Sequence, residues 1–123
     1  MASAEDKVIA IVDDDHAVRD SVQLLLEVAG HRVEVFASAT EFLKDDIQRF
    51  AGILLDNYMP VITGLDLAAR LRANGSAVPI MLMTGSPTPA IHARAAQLGI
   101  DRVFEKPLAT EHLLAFAEAV RNI

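Results

Sequence analysis

Short runs of consecutive apolar residues alternate along the chain with longer segments in which apolar residues recur every three or four positions. The short runs are rich in β-branched residues, which is typical of strands that are buried on both faces. They predict strands at Val8–Val12, Val33–Phe36, Gly52–Leu55, Pro79–Met83 and Arg102–Glu105. The periodic segments predict helices at Ala17–Ala29, Ser38–Leu43 (with Ser38 as the cap), Leu65–Leu71, Ala90–Leu98 and Glu111–Val120.

Strand and helix alternate five times, and this order predicts an α/β fold. Strands buried on both faces need helices on each side, and right-handed crossovers then give a doubly wound sheet. The expected architecture is a three-layer (βα)5 domain with a five-stranded parallel sheet, of the flavodoxin-like type. In such a sheet the ligand site lies beyond the carboxyl ends of the strands.

The length and the composition predict one soluble domain that spans residues 1–123. The chain is 52% hydrophobic, which excludes a disordered protein, and it contains no cysteine, which excludes disulfides, thiolate metal sites and a cysteine nucleophile. No apolar run approaches the roughly 18 residues of a membrane span, and the polar, acidic start does not resemble a signal peptide. We therefore expect a cytoplasmic protein without membrane contact.

The charge balance narrows the class of partner only slightly. Seventeen acidic residues against eleven Lys and Arg give a net charge of −6. A dedicated nucleic-acid binder needs basic surface to neutralise phosphates, so direct nucleic-acid binding by this domain is not expected. An acidic average is otherwise ordinary, and the placement of individual acids carries more information than their number.

Polar residues follow four of the five predicted strands, at the point where each strand ends. They are Asp13, Asp14 and Asp15 after the first strand, Asp56 after the third, Thr84 after the fourth and Lys106 after the fifth. Several carboxylates at one sheet edge repel one another unless a cation lies between them, and ligation by oxygen alone favours Mg²⁺. A lysine and a hydroxyl beside a metal suit a phosphoryl group, and a carboxylate can itself accept phosphoryl. The acid on the middle strand, Asp56, is the natural nucleophile.

Five short motifs, in order and at the expected strand ends, make the chain similar to a response-regulator receiver domain of two-component signalling over its full length. The motifs are Ile11–Asp15, Leu55–Pro60, Gly64, Met83–Gly85 and Glu105–Pro107. The resemblance implies that Asp56 is the phosphoacceptor and that Lys106 pairs with the phosphoryl group. It implies that Thr84 donates a hydrogen bond to a phosphoryl oxygen and shifts inward on activation.

The same resemblance implies a metal site and a backbone feature. Asp13 and Asp14 would hold Mg²⁺, helped by Asp56 and by the backbone carbonyl of Tyr58. The Lys106–Pro107 peptide bond is expected to be cis. Gly64 is expected to meet a backbone requirement of the loop into the third helix rather than to contact a ligand.

The resemblance also implies what the domain does. A sensor histidine kinase or a phosphotransfer protein would donate the phosphoryl group. Phosphorylation would then change the surface formed by the fourth helix, the fifth strand and the fifth helix, which would act on a downstream effector protein or a fused output domain. The domain would catalyse phosphoryl transfer to and from its own aspartate and would not be a turnover enzyme. A homodimer linked to phosphorylation remains open.

Three positions depart from the family pattern or modify it. The aromatic residue that usually lies three residues before the lysine is replaced by Val103, and strand alternation predicts that the neighbouring Phe104 points to the opposite face. This puts the usual coupling between threonine and aromatic residue in doubt. Pro87 and Pro89 stiffen the loop after Thr84, and the fourth helix is expected to start near Pro89.

Other classes of protein compete with this interpretation. An Asp-nucleophile phosphatase also uses Mg²⁺ and carries its nucleophile in an Asp-x-Asp motif after the first strand, but it needs a cap domain and leaves Asp56 unexplained. A flavodoxin-like cofactor binder would place an FMN phosphate against the three acids after the first strand, which would repel it. A degenerate receiver that only binds partners is a further alternative, although the chain has all five residues that the family uses at its site: Asp13, Asp14, Asp56, Thr84 and Lys106. Asp15 is expected to be a helix cap, and the four histidines, on separate elements, are expected at the surface.

Overall fold

In the computed structural model, which describes residues 7–100 and 102–121, five strands and five helices alternate along the chain. The strands are β1 (Val8–Val12), β2 (Val33–Phe36), β3 (Phe50–Asp56), β4 (Ile80–Thr84) and β5 (Arg102–Glu105). The helices are α1 (His16–Val28), α2 (Ala39–Phe42), α3 (Gly64–Ala73), α4 (Pro89–Gln97) and α5 (Thr110–Arg121), and a 3-10 turn covers Ile47–Arg49. None of the helices in the described ranges is both long and apolar enough to cross a membrane.

All strands pair in parallel in the order β2-β1-β3-β4-β5. The chain leaves β1 outward to β2, returns past β1 to β3, and continues outward to β5. The switch point of this doubly wound sheet therefore lies between the carboxyl ends of β1 and β3. This confirms the fold predicted from the alternating pattern.

The core consists of two apolar layers, one on each face of the sheet. Buried side chains of α2, α3 and α4 cover one face, and those of α1 and α5 cover the other. β1 and β4 are buried at every position, as their continuous apolar runs predict. Val103 packs into the first layer and Phe104 into the second, so the predicted opposite orientation of these neighbours is confirmed.

All predicted boundaries agree with the structure within two residues. The two-residue differences are the end of α3, which lies at Ala73 and not at Leu71, and the start of β3. This strand begins at Phe50, two residues earlier than predicted, because Phe50 pairs with Val8 across a register shift. At the other end Asp56 belongs to the strand itself, so its backbone is held by the sheet.

Local hydrogen bonds fix where the helices start. The Asp15 carboxylate accepts from the Ala17 and Val18 amides, which confirms its role as the α1 cap. Thr88 caps α4, which begins at Pro89 as expected. One surface prediction is wrong: the side chain of His31 is only 6% exposed, and its Nε2 lies 3.7 Å from a carboxylate oxygen of Glu118 on α5.

Candidate functional site

The carboxylates of Asp13, Asp14 and Asp56 meet at the switch point. One oxygen from each lies within 4.8 Å of the others. β1 and β3 are adjacent in the sheet, so the acids that end them are brought together although 43 positions separate Asp13 from Asp56. Asp13 and Asp56 are buried, whereas Asp14 is exposed. The cluster is therefore open to solvent on the side of Asp14.

Lys106 joins this cluster from the end of β5. Its Nζ lies 2.8 Å from Asp13 Oδ2, to which it donates a hydrogen bond, and 3.3 Å from Asp56 Oδ1. Burial alone would lower the pKa of Lys106, but the hydrogen bond and charge of Asp13, together with Asp56, outweigh it and raise the pKa above its usual value. The lysine is thus a fixed cation between two carboxylates, and the Lys106–Pro107 bond is cis as expected.

The Asp56 carboxyl is held in a buried position at the centre of the site. Tyr58 N–H donates to Asp56 Oδ1 at 3.3 Å. Burial and the neighbouring charge of Asp13 raise the pKa of Asp56 to about 6, while Lys106 and the Tyr58 amide oppose the rise. A carboxylate whose negative charge is poorly compensated is one that a further cation would stabilise.

Thr84 and Tyr58 flank the acids on the side of the β4–α4 loop. The Thr84 hydroxyl, which is fully buried, accepts a hydrogen bond from Ser86 N–H at 3.3 Å. Tyr58 is 52% exposed, and its hydroxyl donates to the Ser86 carbonyl at 3.4 Å. Ser86 therefore links the hydroxyl of Thr84, which is predicted to bind the phosphoryl group, to Tyr58.

The predicted site residues thus lie at one edge of the sheet, and Asp15 lies outside the cluster, as its predicted role as a helix cap implies. Asp15, the third acid of the first motif, has its carboxylate engaged in the α1 cap and does not join the cluster. Two roles stay predictions, because they concern contacts with Mg²⁺ and with a phosphoryl group. They are the binding of Mg²⁺ by the Tyr58 carbonyl and the contact of Thr84 with the phosphoryl group.

Three residues support the site, and the sequence assigned no role to two of them, Arg19 and Asn57. Arg19 Nη1 donates to the Asp13 carbonyl at 2.7 Å. The Asn57 side chain accepts from Leu65 N–H at 3.1 Å, and this bond ties the start of α3 to the residue after Asp56. A Cβ added to Gly64 would lie 2.4 Å from the Asp56 carbonyl oxygen. Gly64 thus meets a backbone requirement, as predicted, because the start of α3 packs closely on the backbone of Asp56 and Asn57.

The donor set of this cluster fits a hard divalent cation. Three carboxylates meet in this cluster, and a single lysine ammonium pairs with two of them, Asp13 and Asp56, so the carboxylates outnumber their cation. Oxygen ligands with no sulfur or imidazole among them are those that Mg²⁺ favours.

The raised pKa of Asp56 predicts a pH-dependent stability difference in metal-free protein. An acid with a higher pKa in the folded state than its usual 3.8 binds its proton more tightly when folded, so the wild type loses stability as the pH rises from about 4 through 6. Asp56→Asn removes this titration. We expect the variant to be more stable by about 1 to 3 kcal/mol at pH 7.5, with the difference shrinking towards pH 4.

Urea denaturation of both proteins between pH 4 and pH 8, in the presence of a chelator, measures this difference. Glu27→Gln, which removes an exposed carboxylate on α1, is the matched control and should leave the pH dependence of the wild type unchanged. A stability difference between Asp56→Asn and wild type that does not vary with pH would contradict the prediction.

Comparison with known proteins gives one consistent family. The family model for the response regulator receiver domain matches residues 9–118. The response regulator protein TmoT of Ectopseudomonas mendocina is 38% identical over 111 residues, which cover 89% of this chain and 50% of that protein. The transcriptional regulatory protein FixJ of Bradyrhizobium diazoefficiens is 36% identical over 113 residues, which cover 90% of this chain and 55% of that protein.

The solved structures agree with this result. The chemotaxis protein CheY4 of Vibrio cholerae superposes with a TM-score of 0.81 at 29% identity, over 93% of this chain and 98% of that one. The chain spans about half the length of the two curated relatives. Sequence match, fold and the position of the acidic cluster all agree: the chain belongs to the family of response regulator receiver domains.

Proposed function

We propose that residues 1–123 form a phosphorylation-dependent switch of a two-component phosphorelay, with Asp56 as the phosphoacceptor. The observation that carries this proposal is the meeting of Asp13, Asp14, Asp56 and Lys106 at the switch point of the sheet. Family membership supports a signalling role rather than enzymatic turnover. The setting is the cytoplasm, where a histidine kinase domain or a phosphotransfer protein acts as the donor.

Each residue of the cluster has a role in this proposal. Asp13, Asp14, Asp56 and the Tyr58 carbonyl hold Mg²⁺, which supplies positive charge to the phosphoryl oxygens. An Asp56 oxygen attacks the phosphorus of the donor, and the donor's imidazole nitrogen leaves with the electron pair of the broken P–N bond. Lys106 moves from its carboxylate partners to a phosphoryl oxygen.

Thr84 completes this arrangement. Its hydroxyl now accepts from Ser86, and it would donate to the phosphoryl group after rotating inward. When the hydroxyl moves, the β4–α4 loop loses the hydrogen bond from Ser86 N–H to Thr84. Phosphorylation of Asp56 would in this way change the loop that leads into α4. Val103 leaves no aromatic ring to follow the threonine on this face of β5.

The α4–β5–α5 surface is the proposed output face. Ala95 is the buried residue of α4, while Ile91 and Leu98 are partly buried against the core. A helix with so little buried apolar area can shift at modest cost. The shifted surface would act on an effector protein or a fused output domain, and self-association through phosphorylation stays a prediction.

A groove beside the site suits the donor. Apolar side chains of α1 and of the segment after Lys106 line it, among them Val18, Leu25, Pro107 and Leu108. Met83 and Lys106 also line it, and Lys106 Nζ lies 3.3 Å from Asp56 Oδ1. A helix of the donor seated there would carry its phosphohistidine to the acceptor carboxylate.

The test separates the switch from the alternative, an Mg²⁺-dependent Asp-nucleophile phosphatase. The protein is incubated with Mg²⁺ and acetyl phosphate, and the bound phosphoryl group is counted by intact mass. A switch should reach a plateau of at most one phosphoryl group per chain, abolished by a chelator. Sustained hydrolysis of p-nitrophenyl phosphate over many cycles, without a phosphorylated plateau, would favour the phosphatase instead.

A further inference from the structure

Asp13 has every polar group of its backbone and side chain engaged. Its N–H donates to the Phe36 carbonyl at 3.1 Å, and its Oδ1 accepts from Asp15 N–H at 2.9 Å. Its Oδ2 accepts from Lys106 at 2.8 Å, and its carbonyl accepts from Arg19 Nη1 at 2.7 Å. Three of these four bonds involve the sheet, the helix cap or the proposed phosphoryl site. The bond from Arg19 has no such assignment.

The Asp13 carbonyl belongs to the peptide plane that joins Asp13 to Asp14. Peptide units are rigid, so the direction of this carbonyl fixes where the Cα of Asp14 lies and where its side chain starts. Asp14 is exposed, and packing therefore does little to fix its carboxylate. A charge-assisted bond from a guanidinium to this carbonyl is among the stronger hydrogen bonds in proteins.

We infer that Arg19 is a positioning residue of the metal site, which holds the Asp13–Asp14 peptide so that the Asp14 carboxylate faces Asp13 and Asp56. The inference rests on the proposed function, because it takes the acidic cluster to be the Mg²⁺ site. Arg19 lies on the first turns of α1, and its own amide donates to the Asp15 carbonyl at 3.1 Å. Helix α1, which Asp15 caps, thus carries Arg19, the residue that orients Asp13 and Asp14.

The charge of Arg19 and its positioning role predict opposite effects on metal binding. A guanidinium near a cation site repels the cation, so removing a charge that did nothing else would tighten Mg²⁺ binding. Removing a group that orients a ligand weakens binding, commonly by 10- to 100-fold for residues behind the direct ligands. The sign of the change in Mg²⁺ affinity therefore separates the two roles.

The experiment titrates Mg²⁺ into the full chain by calorimetry, with the emission of Tyr58, the one tyrosine in a chain without tryptophan, as a second signal. Arg19→Met should raise the Mg²⁺ dissociation constant about tenfold. Arg19→Lys, which keeps a charge and a donor, should have a smaller effect. Arg70→Met makes the same change of charge at an exposed position on α3 and should leave the dissociation constant unchanged.

Two further measurements show that the effect passes through the metal site. At saturating Mg²⁺, Arg19→Met should be labelled by acetyl phosphate at the wild-type rate. In an Asp14→Asn background, Arg19→Met should weaken Mg²⁺ binding little further, since the ligand that it orients is already lost. Equal losses in both backgrounds would assign Arg19 a role that is independent of Asp14 and overturn the inference.

The remaining outcomes are distinct. Unchanged or tighter Mg²⁺ binding by folded Arg19→Met overturns the inference and leaves the proposed function intact. A wild-type chain that does not bind Mg²⁺ overturns the proposed metal site itself, and the inference with it. Circular dichroism establishes that each variant is folded, and if Arg19→Met is not, the affinity of Arg19→Lys relative to wild type decides.

Discussion

Asp56→Asn is expected to abolish Mg²⁺-dependent labelling by acetyl phosphate or phosphoramidate, with the rate falling at least about 100-fold. The amide cannot act as the oxygen nucleophile that forms an acyl phosphate. Asp56 is the acid that belongs to the central strand of the sheet, is 3% exposed, and has Lys106 beside one oxygen. Because the same substitution is expected to stabilise the metal-free protein above pH 6, loss of labelling could not be attributed to unfolding.

Two comparison variants sharpen this experiment. Glu27→Gln should be labelled as the wild type is, since its carboxylate lies far along α1 from the site. Asp14→Asn should need more Mg²⁺ but should still carry the phosphoryl group on Asp56, as peptide mapping would establish. If Asp56→Asn were still labelled, another carboxylate would be the phosphoacceptor and the assignment of Asp56 would be wrong.

Gly64→Ala is expected to destabilise the protein by about 3 kcal/mol and to slow labelling of Asp56. The added Cβ would lie 2.4 Å from the Asp56 carbonyl oxygen and 2.9 Å from the Asn57 Cα. Both atoms belong to backbone, so relief requires α3 to move away from the end of β3. That movement would stretch the bonds by which Asn57 holds Gly64 and Leu65, and it would displace the acceptor carboxylate.

Chemical denaturation and the initial rate of labelling check this prediction. Gly85→Ala is the matched control for stability, because a Cβ added there meets no atom within 4 Å and the backbone φ is not positive. Its stability should stay within about 0.5 kcal/mol of the wild type. If Gly64→Ala matched Gly85→Ala in stability, α3 would not be packed on the Asp56 backbone as closely as the structure indicates.

The fold and most of the site could be predicted from the periodicity of apolar residues and from the residue types at the strand ends. Apolar runs buried on both faces predict a parallel sheet, and the rule for such sheets then directs attention to the residues after each strand. Asp13, Asp14, Asp56 and Lys106 were found in this way, and they do meet at one edge. The same reasoning assigned Asp15 to the helix cap, because an acid directly before a helix satisfies free amides.

What the sequence by itself determined is the order of elements and the residue types at their ends, because both follow from local patterns of polarity. Only the tertiary structure decided which contacts hold the acids of the site in place. Arg19 donates a hydrogen bond from its side chain to the backbone carbonyl of Asp13. Gly64 allows the backbone of α3 to pack directly against the backbone of Asp56. Such contacts depend on distances across elements, and no local pattern of residue types encodes those distances.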